Sequence, residues 1–188
     1  MVTKIFLVVA IILFVPLMSI SAAEPENEIL LHEPFLVTSA GQSLDAYLVK
    51  AAFDKLGVKS DLETIAYADD LEGFNQIIIV GGFSHKGIAS AGLSFLDEIE
   101  RVSQILEKAE EISMPIIFIY LGTFFLGDSR EVNLIEVITP LASQIIVYVE
   151  CSGPLSYIYE VAEKNDIPVS HINDVNDLSE EFSRIFLF

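Results

Sequence analysis

A single cysteine, Cys151, stands in 188 residues. No intrachain disulfide can form, and the fold must rest on its hydrophobic core. Cys151 closes the apolar run IIVYVEC, where a small buried thiol is common. Basic residues are scarce too: 10 Lys and Arg stand against 28 Asp and Glu, a net charge of −18. That balance opposes binding to nucleic acid or anionic lipid through charge. The acids are scattered through helical segments, so most read as a solvated surface. An anionic ligand would need local donors to overcome this field.

Several signatures are missing as well. No G-x-x-x-x-G-K-[ST] is present, and no G-x-G-x-x-G opens a helix after a strand, which counts against nucleotides. The histidines, His32, His85 and His171, are far apart, with no H-x-x-x-H or C-x-x-C spacing. The acidic stretches YADD and DVNDLSEE lack the glycine-marked calcium-loop pattern. No cofactor and no metal are therefore expected.

Long apolar runs are few. Ile5–Met18 spans 14 residues after Lys4 and precedes SISAA, with small residues at Ser21 and Ala23. It is short of the ~20 residues of a membrane span. The pattern is that of a secretory signal peptide over residues 1–23, which implies an extracytoplasmic protein with no membrane association after cleavage. Residues 24–33 read as an acidic leader and 34–188 as one α/β domain.

What is present is an alternation of strands and helices. Near-continuous apolar strands PFLVTS, QIIIVGG, PIIFIYLG and QIIVYVE argue a parallel sheet covered on both faces. KSDLETIA reads as an outer strand and IPVSHIN as a last one, with DLSEEFSRIFLF closing the chain as a helix. The helix SLDAYLVKAAFDKLG places Leu44, Leu48, Ala51, Ala52 and Leu56 on one face, between an N-cap at Ser43 and a C-cap at Gly57. The helix SFLDEIERVSQILEKAEEISM opens on a capping box, Ser94 with Asp97, and carries a stripe from Leu96 to Ala109. Pro140 suggests a kink or early stop in REVNLIEVITPLAS. The expected architecture is a three-layer, doubly wound, mostly parallel sheet of five or six strands, Rossmann-like or flavodoxin-like, in the order 2-1-3-4-5-6.

In that order the topological switch lies between the first and third strands, where ligands of such sheets bind. The two loops there are TSAGQS and GGFSHKGIASAG. Thr38, Ser39, Gly41, Gln42 and Ser43 from one, and Gly81, Gly82, Ser84, Lys86 and Gly87 from the other, are candidate ligand-binding residues. Their hydroxyls and amides are donors, glycines admit a ligand to the backbone, and Lys86 offers a point charge. The fourth-strand loop, LGTFFLGDS, adds Gly122, Thr123 and Phe124. Phe124, Phe125 and Leu126 are apolar where a loop is usually polar, and would wall a pocket or dock a partner. GFSHK matches a nucleophile elbow only in part, because lysine replaces the final glycine. No catalytic residue is assigned.

The patterns Thr38-Ser39-x-Gly41-Gln42-Ser43 and Gly82-x-Ser84-x-Lys86-Gly87-x-x-x-Ala91-Gly92-x-Ser94 resemble a family of exported bacterial single-domain α/β proteins of unknown function. The resemblance runs from Pro34 to the C-terminus and implies one α/β domain without an established activity. The chain departs from that family after the fourth strand, where histidine, glycines and arginines are expected and YLGTFFL stands. It departs again where Cys151-Ser152-Gly153-Pro154 replaces a polar turn. If the relatives' basic groups hold an anion, this chain holds something more apolar, or nothing. Three readings follow: a small-molecule binder at the switch point, a hydrolase using Ser84 or Ser39, or an interaction subunit docking through the loop at Phe124.

Overall fold

The computed structural model describes residues 29–123, 127–151 and 153–187. The expected signal peptide and the first half of the leader, residues 24–28, lie outside them. Six parallel strands form the main sheet: β1 Phe35–Ala40, β2 Ser60–Leu62, β3 Gln76–Gly81, β4 Ile116–Tyr120, β5 Gln144–Tyr148 and β6 Val169–Ile172. Their order is β2-β1-β3-β4-β5-β6, the doubly wound arrangement the sequence implies. Every residue of β1, β3 and β4 is buried, which explains their continuous apolar character.

Helices α1 Asp45–Leu56 and α6 Leu178–Ile185 cover one face. There Val49, Phe53 and Phe182 pack on Phe35, Val37, Ile78 and Ile117. Helices α3 Phe95–Glu111, α4 Ser129–Ile138 and α5 Leu155–Lys164 cover the other. Strand alternation separates the two cores, so Leu36 and Ile79 face α3 and α4 while Val37 and Ile78 face α1.

Four local expectations need correction. The face of α1 turned to the core is Ala46, Val49, Ala52 and Phe53, whereas Leu44 and Leu48 are exposed. Both stripes have helical spacing, and the one carrying Phe53 buries the greater apolar surface. Leu96 in α3 is likewise exposed. The glycine-rich third loop contains a helix of its own, α2 His85–Ser90, capped by Ser84. The last residues are not helical: Phe186–Leu187 pairs in parallel with Ile29–Leu30. Ile29 and Leu31 are buried with Phe186, so part of the acidic leader belongs to the packed domain. Other local readings match the chain: Gly57 adopts φ 74° at the end of α1, the Ser94–Asp97 capping box is formed, and the helix before Pro140 passes into a 3-10 turn at Thr139–Leu141. Among the described residues no helix is long and apolar enough to cross a membrane.

Candidate functional site

The loops after β1 and β3 meet at the carboxyl edge of the sheet. Gly82 N–H donates to Ala40 O (3.0 Å) and Ser84 N–H to Gly41 O (2.8 Å). Gln42 and Phe83 form an antiparallel bridge between them. The chain reaches this geometry by turning left-handed twice, at Gly41 (φ 99°) and Gln42 (φ 58°). A Cβ on Gly41 would stand 2.4 Å from Gly82 O, and one on Gly87 would stand 2.1 Å from Gln42 O. These glycines therefore admit one loop to the other. Loop-on-loop packing accounts for both glycines, and Gly87 also lines the groove described below.

Beneath the crossing lies a buried ion pair that the sequence reading missed. Glu98 and Arg101, in the first two turns of α3, are 0% and 2% exposed. Arg101 donates through Nε to Glu98 Oε2 (2.8 Å) and through Nη2 to Glu98 Oε1 (2.7 Å). It also donates to Ala66 O (2.7 Å) and Ser39 O (2.6 Å). Glu98 Oε1 accepts from Gly41 N–H (2.7 Å) and Gln42 Nε2 (3.2 Å). The pair thus ties α3 to the β1–α1 loop and the segment after β2.

Over the crossing opens a groove of about 490 Å³. Of the candidate residues, Gln42, Ser43, Ser84, Lys86 and Gly87 line it together. Leu44 and Tyr47 of α1, Thr64 and Ile65 after β2, and Ser90 and Ala91 of α2 and its C-cap complete it. Three of these polar side chains already make internal hydrogen bonds. Ser84 Oγ accepts from Gly87 N–H (3.0 Å) as the cap of α2. Ser43 Oγ accepts from Asp45 N–H (3.3 Å), and Leu44 rather than Ser43 is the N-cap of α1. Gln42 Nε2 donates to Thr64 O (2.8 Å). Neither Lys86 nor a histidine bonds Ser84 among the described residues.

The other candidates lie elsewhere. Thr38 and Ser39 are interior to β1; Thr38 Oγ1 donates to Thr64 O (3.5 Å) and the Ser39 hydroxyl has no partner among the described residues. Gly81 packs against Phe118. Gly122 and Thr123 belong to a second, buried cluster. There Thr123 Oγ1 donates to Asp45, and Tyr120 OH donates to Glu131 Oε1 (2.9 Å). Burial pushes both carboxyls above their usual range: Thr123 opposes the effect at Asp45, and Tyr120 and the Phe83 N–H oppose it at Glu131. Burial, with the Glu131 charge, raises Tyr120, and burial also raises the Cys151 thiol. Phe124 lies outside the described residues.

At the surface, Arg130 clasps Asp128 through Nε (2.9 Å) and Nη2 (2.8 Å), and its guanidinium sits 4.7 Å from the Phe83 ring centre. Hydrogen bonds from Arg130 hold Asp128 well below the usual carboxylate range. His85 Nε2 lies 3.0 Å from Asp128 and 2.8 Å from Arg130, joining α2 to the start of α4.

No curated protein matches the chain. Among solved structures, AlinE4, an SGNH-hydrolase family esterase, aligns over 78% of this chain and 77% of its own at 15% identity, with a TM-score of 0.31. A mutant of the same esterase aligns over the same shares at 16% identity and the same TM-score. Values this low leave the fold assignment resting on the strand order itself. The match that carries weight is to a family model over residues 32–186, which takes in both loops, all six strands and the buried ion pair. By that match the chain belongs to the family described as Domain of unknown function (DUF6305).

Proposed function

We propose that the chain is an exported ligand-binding module whose site is the groove between the β1 and β3 loops. One observation carries the reading: five residues from two separate loops line one groove with Leu44 and Tyr47, which α1 leaves 64% and 53% exposed. Large apolar side chains held open beside an exposed lysine, at the switch point of a doubly wound sheet, are what a small-molecule site presents. Export rests on the N-terminal Lys4, apolar run and SISAA pattern. Hydrolysis is disfavoured because the Ser84 hydroxyl caps α2 and is hydrogen-bonded to no base among the described residues, while the Ser39 hydroxyl is buried.

Native mass spectrometry of the protein, purified gently from a host that exports it, tests the reading. A co-purified small molecule lost in Leu44→Ser and Lys86→Ala is expected. A bound molecule retained by both variants places the site elsewhere and overturns the assignment to this groove.

A further inference from the structure

The charge around the groove differs from that of the chain. The sequence has 28 acidic residues, yet among the described residues no acidic side chain lines the groove, and one of the chain's 10 basic residues does. That residue, Lys86, is exposed and has neither an ion pair nor a hydrogen bond among the described residues. Ser90 follows it by four positions on α2, so both side chains share a face and both line the groove. The opposite wall is Leu44, Tyr47 and Ile65. Between the walls, Gln42 donates to Thr64 O, while the Ser43 and Ser84 hydroxyls accept from backbone N–H groups.

On these grounds we infer that the groove takes a single-chain amphiphile with one anionic head, a free fatty carboxylate. The head sits at Lys86 and Ser90, and the chain runs along Leu44, Tyr47 and Ile65. This deepens the ligand-binding reading and rests on it. The ammonium of Lys86 suits a single carboxylate as a point charge, without the bidentate geometry of arginine. The volume, about 490 Å³, falls within the ~300–1,000 Å³ of small-molecule sites.

Isothermal titration of the full chain with octanoate, decanoate and dodecanoate, all kept below micelle formation, tests the inference, with decan-1-ol and decyltrimethylammonium as head-group controls. We expect saturable one-to-one binding that tightens about fourfold or more for every two methylenes. Decanol and the cationic amphiphile should bind at least ~10-fold more weakly than decanoate, the loss of a charge-assisted contact. Lys86→Ala, a favourable helix substitution, should bring decanoate down to the level of decanol. If decanol or the cation binds as tightly as decanoate, or Lys86→Ala leaves decanoate unchanged, the anionic-head assignment is overturned while the groove stands. If Leu44→Ser and Tyr47→Ser leave all amphiphile binding unchanged, the groove reading falls with it. An absence of saturable binding by every probe overturns the amphiphile class alone, because the co-purification experiment addresses any other ligand.

Discussion

Removing Arg101 should unfold more of this protein than its surface-like residue type suggests. In Arg101→Met, Glu98 would stay 0% exposed without its cation. Breaking a buried ion pair by deleting one partner costs about 3–5 kcal/mol. The carbonyls of Ala66 and Ser39 would also lose their donors, so the upper end of that range applies. Against a total stability of about 5–15 kcal/mol, the loss is a large fraction. Urea denaturation of both proteins measures it, as a lower midpoint with little change in slope. The double variant Glu98→Leu/Arg101→Met separates the charge from the scaffold. It leaves no unpaired charge, so it should recover part of the loss. It should still fall about 1–3 kcal/mol short of wild type, because Gly41 N–H, Ala66 O and Ser39 O remain without partners. A loss under about 1 kcal/mol in Arg101→Met, or a double variant as unstable as the sum of its singles, would refute this account of how the groove is supported.

Other outcomes follow from the same geometry. The folded-state pKa values of Asp45 and Glu131 lie above their unfolded values of 3.8 and 4.5. Their contribution to stability is therefore fully present below those values and lost as pH rises through the folded ones. Asp45→Asn with Glu131→Gln should raise the melting temperature at neutral pH and flatten its decline from mildly acid to neutral pH, and an unchanged slope in a thermal-shift series would count against a buried acid pair. Gly87→Ala, which in an open helix would stabilise by ~0.5–1 kcal/mol, should instead destabilise by about 1–3 kcal/mol, because the added methyl meets Gln42 O at 2.1 Å; chemical denaturation reads the sign directly. Ser84→Ala should cost about 1 kcal/mol as a lost helix cap, read as a lower midpoint in chemical denaturation.

The sheet was legible in the sequence because a fully buried parallel strand has no polar face to disguise it: QIIIV and IIFIY can hardly sit anywhere else. The switch-point loops followed from strand order, itself narrowed by connection rules. Side-chain roles within the loops did not follow. A hydroxyl that caps a helix and one that meets a ligand look alike in one dimension, and Ser84 takes the first role. α1 was misread for a related reason. It carries two apolar stripes, and periodicity does not say which one meets the sheet. The stripe left outside, with Leu44 and Tyr47, became the wall of the groove.

The buried acids did leave a mark in the sequence, and besides Glu181 of α6 three of them carry it near the loop crossing. Glu98 continues the stripe Val102, Ile105 and Ala109 of α3; Asp45 continues Val49, Ala52 and Phe53 of α1; Glu131 continues Leu134, Ile135 and Ile138 of α4. Each is in phase with the apolar face and lies within the first four residues of its helix. A residue in phase with the core cannot be solvated, so its charge must find a partner or be suppressed. In a parallel α/β sheet, the start of each helix stands beside the carboxyl ends of the strands. The two facts together aim all three acids at the edge where the loops cross. One acid meets Arg101 and the backbone of Gly41, while the other two meet Thr123 and Tyr120 with raised pKa values. Among the described residues the groove above has no acid in its lining, and the edge beneath it holds these three. The anion proposed at Lys86 would therefore sit above carboxyls that Arg101, Thr123 and Tyr120 partner, in residues that do not themselves line the groove.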